Sequence, residues 1–253
     1  MNRLFVFTVP ALLIGAATYV QADTDPNALV VTASNTAANQ LLVYDTAANL
    51  VQTISTQGHG GVSGNAGGIA ARDSLVAVVN FGSKSVSIFQ RVNPGFQLTQ
   101  LVPALSNPVS VAFGHGHLYV LGTTEVESHP VFGSSINASP DGLVMLLHAD
   151  GSSAQVGVAG NQLVITEKSN VIETVNLLDD GAVTGASTLV QNIPANVNAP
   201  FGLVTRGSNA YVTIAHADEI ALVRTGSVFD RHWIRHSTCT VLAYIGGAIS
   251  VFE

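Results

Sequence analysis

The sequence has very little cysteine and little charge. Cys239 is the only cysteine among 253 residues, so no disulfide can form within the chain. Charged residues make up 10% of the sequence, and the 9 Lys and Arg residues form no stripe, which argues against nucleic acid as a partner. The chain also has no G-x-S-x-G elbow, no phosphate-binding loop and no calcium loop. We therefore expect neither a cofactor nor a bound metal.

The first 22 residues have the pattern of a secretory signal peptide. Arg3 precedes an apolar run over residues 4–17, and the small-residue motif Val20-Gln21-Ala22 follows. The alternative is a membrane anchor, but the apolar run is shorter than the ~20 residues that span a bilayer. No second segment is long and apolar enough to cross. We expect a secreted, extracellular product that begins at Asp23 and has no membrane contact after cleavage.

What the chain has in abundance is a repeated strand–turn–strand pattern. Matched apolar positions recur 43 to 47 residues apart, at Leu29, Leu75, Leu118, Leu163 and Ala210. A repeat of this period, made of short strands, is typical of a β-propeller. The sequence thus predicts an all-β fold with about five repeats over residues 23–224, each forming one four-stranded blade.

The second repeat shows how a blade is assembled. Apolar strands are predicted at 75–79 and 85–89, separated by a turn at 80–84, with an outer strand near 97–101. Near-continuous apolar runs such as LVAVV fit sheets that are buried on both faces. The third repeat carries additional residues between Gly122 and Asp141, which we interpret as a surface loop.

Several segments together resemble a known family. VVNFGSKSVSIF, NPVSVAFGHGHLYVLG, LVITEKSNVIETV and APFGLVTRGSNAYVTIA resemble the secreted lactonase-like β-propellers related to phosphogluconolactonase and carboxymuconate lactonizing enzyme. The resemblance covers residues 28–224. It implies seven blades and the opening or closing of a lactone ring without a metal, with a small-molecule lactone or carboxylated ligand as partner.

The repeat pattern stops after Arg224. Residues 225–253 contain the only Trp and the only Cys, and they lack the expected unit. Synonymous codons for residues 232–253 can be translated one base later into a repeat-like string, so we interpret this tail as the product of a frameshift; the alternative is a natural divergent tail. The expected consequence is an incompletely closed propeller with an open edge beside residues 28–33 and poor solubility.

The turns between second and third strands hold the polar candidates for a site. Glu167 and His216 could act as general base and acid in lactone opening, and Asn80, Lys168 and Asp218 could bind the ligand. Glu167 is the strongest candidate, because a charge directly after an apolar run needs a reason, and capping a tunnel mouth is one. Arg72 and Arg206 could hold a carboxylate but are expected on the opposite face. The same residue types would also suit solvated turns.

Two further motifs carry weaker predictions. His115 and His117 form a His-x-His pair in a Gly-rich turn without a third ligand, so no metal site is expected. Asn137 begins an Asn-Ala-Ser sequon, a glycosylation acceptor if the host is eukaryotic. Two functions remain open at this point: a lactonase-like enzyme acting at the central funnel, or a non-catalytic extracellular propeller that binds a protein, sugar or small ligand.

Overall fold

The computed structural model describes residues 28–62, 66–191, 200–215, 219–225, 232–235 and 250–252. Within these ranges the protein consists of short antiparallel strands and one 3-10 turn at Phe81–Ser83. No helix in the described ranges is long and apolar enough to cross a bilayer. The all-β prediction is confirmed.

The strands form five antiparallel sheets, which we call blades 1 to 5. Blade 1 contains β1 (Leu29–Ala33), β2 (Gln40–Tyr44), β3 (Leu50–Ser55) and β21 (Ser250–Phe252), in the order β21-β1-β2-β3. Blade 2 contains β4 (Ile69–Arg72), β5 (Leu75–Asn80), β6 (Ser85–Val92) and β7 (Gly95–Pro103), in chain order. Blade 3 contains β8 (Ser110–Gly114), β9 (His117–Leu121), β10 (Glu125–Phe132), β11 (Ser135–Ile136) and β12 (Gly142–Met145). Blade 4 contains β13 (Ser153–Ala159), β14 (Gln162–Glu167), β15 (Val171–Leu177) and β16 (Val183–Gln191). Blade 5 contains β17 (Pro200–Arg206), β18 (Asn209–Ile214), β19 (Glu219–Arg224) and β20 (His232–Arg235).

The blades are arranged as in a β-propeller. The innermost strand of each blade contacts the innermost strand of the next, in the order β21, β4, β8, β13, β17. Within blade 4, Leu163 and Ile165 pack on blade 3, whereas Val164 packs on blade 5. Because side chains alternate along a strand, the second strands of blades 2, 3 and 4, which have a blade on each side, are buried on both faces. This double burial explains the uninterrupted apolar runs in the sequence.

The predicted strands of the second repeat are confirmed, with ends displaced by a few residues. The interpretation of residues 122–141 as a surface loop is wrong. Most of this segment is β10, which pairs with β9 and β12 and is the third strand of blade 3. Its residues Glu127 and His129 are almost fully buried, and Glu127 Oε2 lies 3.3 Å from His129 Nε2. The sequence obscured this strand because buried polar residues interrupt its apolar pattern.

The C-terminal tail supplies two strands. β20 pairs with β19 at the outer side of blade 5. β21 pairs with β1, with Leu29 opposite Phe252 and Val31 opposite Ser250. The expectation of an open edge beside residues 28–33 is therefore wrong, since the tail itself occupies that edge. The frameshift and the poor solubility stay predictions, and the signal peptide and Cys239 lie outside the described residues.

One face of the propeller carries the loops that matter for a site. The loop between blades 3 and 4 meets the β14–β15 turn, where the Lys168 N–H donates to the Ser152 carbonyl at 2.9 Å. The loop between blades 1 and 2 meets the β5–β6 turn in the same way, through a 2.8 Å bond from the Gly82 N–H to the His59 carbonyl. These two kinds of connection therefore lie on the same face. We call this the loop face.

The loop before blade 2 also crosses toward blade 4. The Ala66 N–H donates to the Ala154 carbonyl at 3.1 Å, and the Gln155 side-chain amide bonds both the N–H and the carbonyl of Leu203 in blade 5. The backbone of the loop before blade 2 therefore lies against β13, the inner strand of blade 4.

Candidate active site

Glu167 lies in the junction between blades 3 and 4, beside the loop face. It is the last residue of β14, and strand alternation places it on the same side as Leu163 and Ile165, toward blade 3. The whole residue is 0% exposed. Its carboxyl group is thus buried in a blade junction, on the second strand of the blade. The expectation that Glu167 caps the mouth of an axial tunnel is therefore wrong.

The two carboxyl oxygens of Glu167 have different surroundings. Oε2 accepts a 2.7 Å hydrogen bond from Ser152 Oγ, whereas Oε1 is buried and has no hydrogen-bond partner among the described residues. Burial raises the pKa of Glu167 to about 7, and the negative charges of Glu173 and Asp150 also raise it. The hydrogen bond from Ser152 and the positive charge of Lys168 lower the pKa. A carboxyl group with such a pKa can exchange a proton at neutral pH.

Donors and acceptors in this cluster fix the direction of a short hydrogen-bonded chain. Ser152 uses its one hydroxyl proton on Glu167, so in its 2.9 Å contact with Ser169 Oγ it must accept. Ser169 then has no proton left for His148 Nδ1, 3.4 Å away, so the ring nitrogen is the donor there. Every hydrogen of the chain from His148 to Glu167 therefore points toward the carboxylate.

The backbone holds this cluster in place. The Ser152 N–H donates to Asp150 Oδ1 at 2.8 Å, and the Ser152 carbonyl accepts from Lys168. On the neighbouring strand, the buried Glu173 carboxylate accepts the N–H groups of Leu147 at 3.1 Å and His148 at 2.8 Å. Glu173 thus anchors the loop that carries Ser152 and His148, and both of its oxygens are occupied.

Lys168 adds a positive charge at the rim of the cluster. It is half-buried, and partial burial lowers its pKa, although the charges of Asp150 and Glu167 act in the opposite direction. An ammonium group here can attract a carboxylate or stabilise an oxyanion. The predicted ligand-binding position is therefore compatible with the structure, directly beside the predicted base.

Asn80, the other described candidate, belongs to a different junction. It is fully buried between blades 1 and 2 and accepts from Asn39 Nδ2 at 3.0 Å. Its own Nδ2 donates to Ser87 Oγ at 2.7 Å and to Ser85 Oγ at 3.3 Å. Protein groups thus use both ends of the amide, so the structure assigns Asn80 to packing and does not bring it to Glu167.

Of the remaining sequence candidates, two lie outside the described residues and two lie away from the cluster. His216 and Asp218 lie outside the described residues, so the Glu167–His216 pair stays a prediction. Arg72 and Arg206 end the inner strands β4 and β17, on the face opposite the loop face, as expected. Sequence reasoning missed Ser152, Ser169 and His148. His148 and Ser152 have one local signal, a run of polar residues before an inner strand, whereas Ser169 lies in the β14–β15 turn beside Lys168.

The His-x-His pair also has a structural setting. His117 Nε2 lies 2.8 Å from Asp141 Oδ2, and its Nδ1 lies 2.9 Å from the His115 carbonyl. His115 Nε2 in turn contacts the Gly160 carbonyl of blade 4 at 2.9 Å. Within the described ranges no group of three His, Cys, Asp or Glu side chains has the geometry to hold a metal. The pair therefore links blades 3 and 4 on the face away from Glu167.

Asn137 lies directly after the β10–β11 hairpin at the outer side of blade 3. It is exposed, and its Oδ1 accepts from the Ser139 N–H at 3.3 Å. The sequon is thus on the surface of the folded protein.

Solved structures similar to this one support the fold. A protein from Lactobacillus plantarum superposes with a TM-score of 0.65 at 14% identity, covering 83% of this chain and 68% of its own. A candidate 6-phosphogluconolactonase from Bacteroides uniformis gives a TM-score of 0.59 at 11% identity, covering 83% and 69%. Catalytically inactive virginiamycin B lyase from Staphylococcus aureus, solved with quinupristin, gives 0.56 at 13% identity, covering 85% and 73%. The sequence matches no protein-family model and no curated protein. At these identities the similarity shows the propeller fold alone.

Proposed function

We propose that this protein is a lactonase-like propeller that opens the ring of a small carboxylated lactone without a metal, with Glu167 as general base. The observation that carries the proposal is the buried Glu167 carboxyl group, which has one oxygen on Ser152 and the other without a partner among the described residues. A buried, half-satisfied carboxyl group costs folding free energy, and such costs are concentrated at functional sites. The candidate lactonase among the structural neighbours supports the same substrate class.

The proposed chemistry uses three described groups. Glu167 takes the proton of the group that attacks the lactone carbonyl, and it returns a proton to the ring oxygen when the ring C–O bond breaks. Lys168 holds the substrate carboxylate or the developing oxyanion. The Ser169 hydroxyl supports the hydrogen bond between Ser152 and Glu167. His216, the acid predicted from the sequence, lies outside the described residues and has no step in this scheme.

The finer properties expected from the sequence pattern and from the resemblance are part of the proposal. They are a signal peptide over residues 1–22, secretion, a seven-bladed ring of which residues 23–224 form about five blades, a tail altered by a frameshift, and relatedness to carboxymuconate cyclases. The chain covers 68 to 73% of the three structural neighbours described above, which supports a longer ring. The exposed Asn137 supports glycosylation in a eukaryotic secretory pathway.

The test is hydrolysis of a panel of carboxylated and neutral lactones by the full chain and by its frame-corrected form. We expect turnover that falls at least 100-fold in Glu167→Gln, because a positioned base contributes about 10²–10⁴-fold. The matched control is Asp179→Asn, an exposed carboxylate in the β15–β16 turn of the same blade, which should retain full activity. Turnover that survives Glu167→Gln would remove Glu167 as the base, and no turnover on any lactone would remove the substrate class.

The alternative is a non-catalytic extracellular propeller that binds a protein, sugar or small ligand. Phe132 favours it, because this large apolar side chain is 70% exposed at the end of β10. Exposed aromatic side chains are enriched at recognition surfaces. Glycan and protein arrays probed with the wild type and with Phe132→Ser would test it: binding lost in the variant supports the alternative.

A further inference from the structure

We propose that Ser152 is the nucleophile of the reaction and forms a transient ester with the opened substrate. This inference rests on the proposed function, since it names the group that Glu167 deprotonates. It stands on the hydrogen bond from Ser152 Oγ to Glu167 Oε2 at 2.7 Å. A serine hydroxyl that is hydrogen-bonded to a base is the general arrangement of an activated nucleophile. Complete burial in the blade junction fixes the Glu167 side chain.

The position of Ser152 is fixed by its main chain. The Ser152 N–H is bound to Asp150 and the Ser152 carbonyl to Lys168, so the residue is held on both sides of its Cα atom. The residue is half-buried, whereas Glu167 beneath it is fully buried. A ligand arriving from the loop face therefore meets Ser152 before it meets the carboxyl group. A fixed hydroxyl between solvent and a buried base is well placed for attack.

The orientation of the hydrogen-bonded chain favours the same role. Ser152 donates to Glu167 and accepts from Ser169, so the proton leaves in one direction while a donor stabilises the charge that develops on Oγ. Burial raises the pKa of Glu167 to about 7, which makes this carboxylate a stronger base than an exposed one. A carboxylate of ordinary pKa would draw the serine proton less well.

The steps balance without any co-reactant other than water. Ser152 Oγ forms a bond to the lactone carbonyl carbon, and its proton moves to Glu167. The ring C–O bond then breaks, and Glu167 returns the proton to the ring oxygen, which becomes a hydroxyl group. Water next attacks the serine ester, giving its proton to Glu167, which passes it to Ser152 Oγ as the hydroxy acid leaves.

The experiment is labelling with a fluorophosphonate probe, in which Ser152 Oγ bonds to phosphorus, fluoride leaves and Glu167 takes the proton. We expect stoichiometric labelling of the full chain, located at Ser152 by peptide mass. Labelling should rise with pH through about 7 as Glu167 ionises. Ser152→Ala should abolish it, and Glu167→Gln should slow it at least 10-fold. The control Ser135→Ala, an exposed serine of the β10–β11 hairpin, should label as the wild type does.

The outcomes separate this inference from the proposed function. No label, or a label elsewhere on the chain, overturns the role of Ser152. Lactone turnover that depends on Glu167 but survives Ser152→Ala also overturns it, while the proposed function stands with water as the nucleophile. Labelling of Ser152 without lactone turnover supports the nucleophile and removes the substrate class. Thermal melting of Ser152→Ala shows whether a loss of label reflects loss of fold, and Ser152→Thr, which keeps a hydroxyl group, should retain slow labelling.

Discussion

Blades 2 and 4 place a polar side chain at the same point of the sheet but treat it differently. Asn80 and Glu167 each end a six-residue second strand, and each faces the preceding blade. Asn80 has protein partners at both ends of its amide, whereas Glu167 keeps one buried oxygen that has no partner in the described part of the chain. The third strands also differ at an equivalent position, where blade 2 has Ser87 and blade 4 has Glu173. The scaffold therefore tolerates a like-charge pair in one junction and a neutral network in the other.

This contrast separates a packing role from a chemical one. A neutral amide supplies a donor and an acceptor, so it can join Asn39 to Ser87 across the first junction without a buried charge. A carboxylate in the same place lacks a donor and raises the cost of burial. Blade 4 has a buried carboxylate at this position, Glu167, and the hydroxyl groups of Ser169 and Ser152 form a hydrogen-bonded chain to it. Polar residues at one repeated position can thus have unrelated functions in neighbouring blades.

Exchanging the two chemistries gives the largest expected effect. Asn80→Asp removes the Nδ2 donor, so a carboxylate oxygen would face Ser87 Oγ, whose proton is used on the Thr56 carbonyl. A buried charge left without its donor should cost about 3 kcal/mol of unfolding free energy at pH 8. The cost should shrink at pH 5, where a protonated Asp again offers a donor. Urea denaturation at both pH values measures this effect.

The exposed Asn176 of β15 provides the control for that exchange. Asn176→Asp should change the unfolding free energy by less than about 0.5 kcal/mol. An Asn80→Asp protein as stable as the wild type at pH 8 would contradict the packing role of Asn80.

The next effect is a pH dependence that originates in blade 4. The folded-state pKa of Glu167 is about 7, above its ordinary value of 4.5, so the folded protein binds one more proton than the unfolded chain between these values. Stability should therefore be highest below pH 4.5 for this group, fall as pH rises toward 7, and level off above it. We expect a loss of about 3 kcal/mol between pH 4.5 and 8 from Glu167.

Glu167→Gln should remove this slope while leaving the Ser152 hydroxyl an oxygen to bind. The variant should be more stable than the wild type at pH 8 although it is less active, which is typical of a costly functional residue. Guanidinium titrations of both proteins at several pH values give the comparison. A wild type and variant with the same pH dependence would show that Glu167 titrates normally.

The sequence alone predicts the blades well because their signal is local. Runs such as LVAVV and LVITE report burial on both faces, and Glu167 is conspicuous as a charge at the end of such a run. Ser152 and His148 could not be predicted in the same way, because they reach Glu167 through a loop from the preceding blade. Glu173 had a usable signal, a charge within the apolar run VIETV. β10 was missed since Glu127 and His129 depend on each other for burial, which a one-residue pattern does not show.

The smallest expected effect tests the hydroxyl chain. Ser169→Ala removes the donor to Ser152 Oγ but keeps the bond from Ser152 to Glu167, so it should cost about 1 kcal/mol of stability. With less support for the charged form, the pKa of Glu167 should rise further, and the fall in stability should move to higher pH. Ser83→Ala in blade 2 is the control, because Ser83 Oγ accepts from the His59 N–H and contacts Ser85 Oγ at 3.5 Å, with no link to a carboxyl group among the described residues. It should cost a similar or smaller free energy without moving the pH midpoint. Equal pH midpoints in the wild type and in Ser169→Ala would show that Ser169 has only a packing role, like that of Asn80 in blade 2, and does not affect the ionisation of Glu167.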